Sequence, residues 1–156
     1  MATKKMAIIA TKGALDMAYP PLILASTAAA LGWEVQIFFT FYGLQLLRKD
    51  LDSIAISPLA NPAMPMPVPM PVIVSVLPGM QAMATSMMKA KMKKKGVASL
   101  EELRSICQES DVKFIACQMT VDLFDFEKSD FIDGIEYGGA ATFMKFAGET
   151  DVCLFI

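Results

Sequence analysis

Histidine is absent from all 156 residues, and that single absence removes several chemistries at once. Without an imidazole the chain holds no Ser-His-Asp or Cys-His nucleophile system and no histidine-ligated zinc or haem. Charge is scarce as well: charged residues make up 19% of the chain and the formal net charge is −2. The aromatic residues do not interleave with basic ones, so no nucleic acid is expected as a partner. Cysteine is scarce and odd in number, three in all, with no C-x-x-C pair. No cleavable secretory signal precedes the first strand-like run, so the thiols are expected to be free in a reducing, cytoplasmic compartment. Chemistry is left to cysteine, carboxylates, lysine and the backbone, and the composition implies neither a metal site nor a cofactor.

What is present is apolar. Hydrophobic residues make up 54% of the chain, more than a soluble monomer needs, so a homo-oligomer is expected to cover some of that surface. The length fits one domain over residues 1–156, large enough to bury a core without crosslinks. Lys4 to Thr11 reads as a strand buried on both faces, closed by the turn signal Lys12-Gly13. Ala14 to Leu31 has helix length and ends at Gly32, with Pro20-Pro21 expected to delay or kink the helix, so that most of it lies after Pro21. Trp33 to Thr40 reads as a second buried strand and Tyr42 to Arg48 as a short helix, giving the alternation of an α/β fold.

Residues 53–88 carry no charge, yet Pro58, Pro62, Pro65, Pro67, Pro69, Pro71 and Pro78 interrupt the run and argue against a membrane span. Residues 57–71 read as a long apolar Pro/Met-rich loop, suited to covering a reactive site or meeting another subunit. Met64, Met66 and Met70 within it are close enough in sequence to raise Cu(I) binding as an alternative. Val72 to Leu77 reads as a short strand, and Gly79 to Lys95 as a helix with Met80, Met83, Ala84, Met87 and Met88 near helical spacing. Ser99-Leu-Glu-Glu102 has the form of a capping box and starts a helix running to about Glu109. Val112 to Cys117 reads as a strand, Thr120 to Phe126 as a short helix, Phe131 to Tyr137 as ambiguous, Gly138 to Ala147 as helix, and Val152 to Ile156 as a last strand.

The cysteines separate by position. Cys107 falls late in the capped helix, which should return it to the start of the following strand, roughly 15–20 Å from Cys117 and beyond disulfide reach. Cys153 lies in the final strand, where burial is expected. Cys117 stands at the carboxyl end of a strand and just before a helix, where open α/β sheets place their sites and where backbone N–H groups favour an anion. A thiolate there, partly exposed, would accept a sulfane sulfur and pass it to another thiol without help from histidine. Asp122 and Asp125 follow as ordinary carboxylates that could orient a partner. Tyr137-Gly-Gly-Ala matches no nucleotide loop but could turn N–H groups towards an anion on Cys117.

Three stretches carry a resemblance. Pro78-Gly-Met-Gln-Ala-Met-Ala-Thr-Ser-Met-Met-Lys, Gly96-Val-Ala-Ser-Leu-Glu-Glu-Leu and Phe114-Ile-Ala-Cys-Gln-Met-Thr-Val-Asp resemble the DsrE/DsrF/DsrH-like superfamily, particularly its methionine-rich DsrE branch. The A-C-x-M-[ST]-x-D stretch is the most specific part, and the family's sulfur-accepting cysteine maps onto Cys117. Leu123-Phe124-Asp125 departs from the methionine-glycine end expected of many relatives. The resemblance implies a three-layer α/β/α sandwich with a mostly parallel sheet of about five strands. It also implies a homo-oligomeric sulfur carrier or sulfurtransferase that relays a persulfide on Cys117 with TusA-like or rhodanese-like partners. A non-catalytic scaffold, binding partners through the Met/Pro-rich surface with Cys117 structural, is the alternative. Five lysines between Lys89 and Lys95 suit a helix C-terminus and could also bring that end to an anionic membrane surface or an acidic partner.

Overall fold

The apolar runs become strands because the sheet is covered on both sides. The structure is a computed structural model that describes residues 3–59 and 71–156. Lys5–Ala10 (β1), Glu34–Phe39 (β2), Lys113–Cys117 (β3), Glu136–Gly138 (β4) and Val152–Phe155 (β5) form a five-stranded sheet in the order β4-β3-β2-β1-β5. All four pairings are parallel. Alternate side chains of the strands feed two cores. Met6, Ile8, Val35, Ile37, Phe39 and Phe114 face helices α1 (Leu15–Ala30), α3 (Met80–Lys94) and α4 (Leu100–Glu109). Ala7, Phe38, Ile115 and Cys117 face one short helix, α6 (Ala140–Ala147), through Phe143 and Phe146. The result is the three-layer α/β/α arrangement that the resemblance implies.

Local signals explain most element ends. Ser99 caps α4 reciprocally: its hydroxyl accepts from Glu102 N–H at 3.2 Å while the Glu102 carboxylate accepts from Ser99 N–H at 2.7 Å, which satisfies two otherwise orphaned donors. Arg104 in α4 is buried and donates to the Leu46 and Arg48 carbonyls at 2.9 and 2.7 Å. It thereby pins the 3-10 segment Phe41–Leu47 that follows β2. Gly43 in that segment is required by space, because a Cβ there would collide with the Ala10 carbonyl. The segment folds as a 3-10 helix where an ordinary short helix was expected.

Three other expectations are corrected. Helix α1 begins at Leu15 and carries Pro20 and Pro21 inside it. Leu15 N–H donates to Ala55 O at 2.8 Å and Ala14 O accepts from Met17 and Ala18, so the first turn is fixed before the prolines are reached. Each proline then removes one backbone bond, and burial of Leu15, Ala18, Leu22 and Ala25 outweighs the loss. Val72–Ser75 is a helical turn, α2, and not a strand. Its β-branched residues suit a strand only beside a ladder partner, and this turn packs against α3 instead. The third is Cys153, which is exposed: β5 lies at a sheet edge, and Cys153 opposite Ala7 points to the face that, among the described residues, α6 alone covers. The 57–71 loop reading, with Met64, Met66 and Met70, lies outside the described residues for all but its ends. Among the described residues no helix is long and apolar enough to cross a membrane.

Candidate functional site

At the carboxyl end of the sheet the chain leaves neighbouring strands towards opposite faces, the arrangement that forms the ligand crevice of open α/β sheets. After β1, β2 and β3 the chain turns to the first face, where α1, the 3-10 residues Leu44 and Leu47, and Val121 of α5 (Gln118–Leu123) join one core. After β4 it turns to the opposite face through α6. Neighbouring strands whose connections leave on opposite sides define the switch point at which open α/β sheets bind ligands. Here that point lies between β3 and β4, where Cys117 is in register with Gly138.

Cys117 is therefore both the last residue of β3 and the N-cap of α5. Burial pushes its thiol up, but the neighbouring hydroxyls of Thr120 and Thr40 and the N–H groups of Thr120 and Met119 together push it down further, and the thiol ends below its ordinary range. These groups are neutral, so the anion is favoured by dipoles and not by a cation. The backbone donors arise because α5 starts immediately at Gln118, two residues earlier than the sequence suggested. Gly139, the N-cap of α6, adjoins the same crevice through Gly138, so Tyr137-Gly-Gly-Ala and Cys117 are brought together.

The side chain is less open than expected. Cys117 is 4% exposed, because it points to the second face and joins the Phe38–Phe143 pair, whose rings stack at 5.0 Å. An aromatic group surrounds the α5 side of the mouth: Phe124 stacks on Tyr42 at 6.0 Å and meets Phe41 and Phe126 edge-on. The departure Leu123-Phe124-Asp125 thus supplies a ring to this group and leaves the cysteine in place. Asp122 accepts from the Gln118 side-chain amide at 2.7 Å, and neither it nor exposed Asp125 is drawn into the crevice. Sequence reading missed Thr40 and Thr120; the [ST] in the A-C-x-M-[ST]-x-D stretch was the only available signal.

The other cysteines behave differently. Cys107 is wholly buried in the first-face core, its Sγ within 3.4 Å of Leu22 O, while Cys117 belongs to the core on the opposite face. The sheet separates them, in line with the absence of a bridge. Burial pushes the Cys107 thiol up to about 11. The unfolded thiol ionises near its ordinary value while the folded one stays neutral, so stability is full below about pH 8.5 and is lost as pH rises towards 11, by about 1.4 kcal/mol per unit. Chemical unfolding at pH 8 and pH 10.5 measures this loss, and Cys107→Ala removes that component of it.

Accessibility orders the thiols. Limited alkylation of the folded protein at neutral pH, read by peptide mass spectrometry, labels Cys153 first and Cys117 more slowly. Cys107 is labelled only on unfolding. Complete protection of Cys117 while Cys153 reacts would favour the scaffold reading. Among the described residues no cluster of three or more acidic or cysteine ligands is positioned for a metal ion.

Comparisons with known proteins agree with this architecture. The model of the DsrE/DsrF/DrsH-like family matches residues 2–155. Sulfur carrier protein DsrE2 of Allochromatium vinosum is 68% identical over the full length of both chains. YrkE of Bacillus subtilis is 34% identical, covering 99% of this chain and 98% of its own. The crystal structure of the Escherichia coli protein YchN superimposes with a TM-score of 0.57 over 99% of this chain and all of its own, at 12% identity. That last likeness concerns the fold alone.

Proposed function

The chain belongs to the DsrE/DsrF/DrsH-like family, and from that premise we propose that it is a sulfur carrier that relays sulfane sulfur as a persulfide on Cys117. The observation that carries the assignment of the residue is the position of Cys117 as the last residue of β3 and the N-cap of α5 at the β3–β4 switch point, where neighbouring neutral dipoles hold its thiol below the ordinary range. In loading, the Cys117 thiolate attacks the outer sulfur of a donor persulfide; the new S–S bond forms as the old one breaks, and the donor leaves as a thiolate. In release, an acceptor thiolate attacks the outer sulfur on Cys117, the proton stays on the transferred sulfur, and the electron pair returns to Cys117 Sγ. Neither half-reaction has net oxidation, and neither calls for a metal, a cofactor or a histidine.

Such a carrier needs donor and acceptor proteins, and TusA-like or rhodanese-like proteins are the proposed class, acting in the cytoplasm in sulfur trafficking or oxidation. A homo-oligomer is also proposed. Its support is the thinly covered second face, where Phe155 is 75% and Met144 60% exposed. Peripheral membrane contact is proposed for the lysine-rich end of α3, which flotation with anionic vesicles tests; a further apolar group, with Ile73 75% and Val76 71% exposed, precedes the opposite end of that helix. The carrier reading itself is tested by single-turnover relay: donor persulfide and acceptor thiol are mixed with and without the protein, and persulfide on the acceptor is measured. The reading predicts faster appearance with the protein and a lag equal to the lifetime of the loaded intermediate. An unchanged rate would contradict it.

A further inference from the structure

Two threonine hydroxyls meet beside Cys117 from distant parts of the chain: Thr40 follows Phe39, which is in register with Ala116, and Thr120 stands three residues after Cys117 in α5. Thr40 ends β2 and stands as the N-cap of the 3-10 segment, a position where threonine ordinarily accepts from a backbone N–H of the helix it starts. It makes no such bond. Its hydroxyl instead lies 3.2 Å from the hydroxyl of Thr120, which is completely buried. Thr120 Oγ1 also accepts from Phe41 N–H at 3.3 Å. Phe41 has φ +47°, an uncommon and costly conformation for an aromatic residue that persists only where its surroundings enforce it.

The proton inventory follows. Thr120 Oγ1 has one lone pair committed to Phe41 N–H, which leaves its own hydrogen free to point elsewhere. The two hydroxyls hold two hydrogens between them beside a sulfur that carries either a proton or a charge. For an anionic sulfur, the Thr120 hydrogen is free to turn towards it and Thr40 is free to donate to the sulfur or to Thr120. When the sulfur is protonated, the rotors turn and a hydroxyl oxygen accepts from it.

We propose that Thr40 and Thr120 form a paired hydroxyl cradle, held in place by the strained Phe41 amide, that positions Cys117 Sγ and accommodates the charge it carries before loading and regains on release. Both are positioning residues, and this rests on the carrier reading of Cys117. The predicted effect on the two half-reactions is unequal. A less stabilised thiolate is more basic, so at a pH where it is fully ionised it attacks slightly faster, by roughly threefold per unit of pKa, and leaves more slowly. The cradle therefore favours release.

The test uses full-length protein carrying Cys153→Ser, so that Cys117 is the accessible thiol. The pH dependence of iodoacetamide alkylation is measured for this parent and for Thr40→Val, Thr120→Val, Thr40→Ser and Thr120→Ser, with thermal melts confirming the fold. Each valine variant is expected to move the midpoint upward by about one pH unit, as loss of a hydrogen bond to a charged group requires, and each serine variant to restore it. At high pH the valine variants should load sulfur at least as fast as the parent and release it more slowly. Folded valine variants with the parent's midpoint, or serine variants that behave like valine, would overturn the proposal. Thr40 is only half-buried, so its variants decide the matter if Thr120→Val does not fold. Unmoved midpoints with a sulfur adduct on Cys117 sink the cradle alone, whereas shifted midpoints with no adduct sink the carrier reading alone.

Discussion

Cys117→Ser loses sulfur loading completely while keeping its fold. The substitution exchanges one atom at a buried position that is the N-cap of α5, where a serine hydroxyl fits and suits the first amides of the helix. Stability should change by no more than about 1 kcal/mol, the usual worth of one such rearrangement. The chemistry does not survive the exchange, because the attacking species is a thiolate and a serine hydroxyl stays protonated at neutral pH. Cys107→Ser shows the contrasting pattern. It places a more strongly polar group in an apolar core beside Leu22, so stability falls while Cys117 in the surviving folded fraction still loads. Intact mass after exposure to a persulfide donor, paired with urea unfolding, separates the two effects. Loading by Cys117→Ser would move the carrier assignment to another thiol.

Phe143→Ala has the largest expected effect on stability. Helix α6 is the one described helix packed against the second face, and Phe143, 2% exposed, is its central contact through the stack with Phe38. Removing a buried phenyl ring costs about 3–5 kcal/mol through lost transfer energy and the cavity left behind. The second-face core is small, with six fully packed members, so little is available to refill the space. The same ring belongs to the cluster that occludes Cys117. In the folded fraction of Phe143→Ala, Cys117 should therefore alkylate faster than in the parent, while Cys107, buried on the other side of the sheet, is unaffected. Denaturant unfolding and alkylation kinetics check both halves. A large stability loss with unchanged Cys117 reactivity would show that Phe143 supports the fold without screening the thiol.

How much of this was readable in the sequence depends on how local each determinant is. The capping box at Ser99 and Glu102 is contained in four consecutive residues, and it was legible. So was the placement of Cys117, because a strand followed at once by a helix fixes where its last residue lies. Thr40 was not, since it reaches Thr120 across 80 positions of sequence, and only the pairing of β2 with β3 brings them together. Cys153 failed for a related reason: an apolar strand reads the same at a sheet's centre and at its edge, and strand order decides which face stays open. The prolines of α1 misled because the anchoring bond from Leu15 to Ala55 comes from a residue far along the chain. Phe131 to Tyr137 stayed ambiguous because β4 has three residues and too little pattern to declare itself.

The switch point explains why these separate features converge. Parallel order places every strand's carboxyl end on one side, and the change of face after β4 opens a crevice there. Into it come the Cys117 sulfur, the first amides of α5 and the hydroxyl at the end of β2. Phe41 and Tyr42 of the neighbouring aromatic group are exposed, an apolar surface suited to a protein partner that brings its own thiol.

The most direct measurement is the location of added sulfur. The reduced wild-type protein is exposed to polysulfide, digested and mapped by peptide mass spectrometry for an adduct of about +32 Da, the mass of one sulfur atom added at a thiol. The account predicts that the adduct sits on Cys117 and disappears when an acceptor thiol is supplied. An adduct spread evenly over Cys107, Cys117 and Cys153, or none at all, would contradict it.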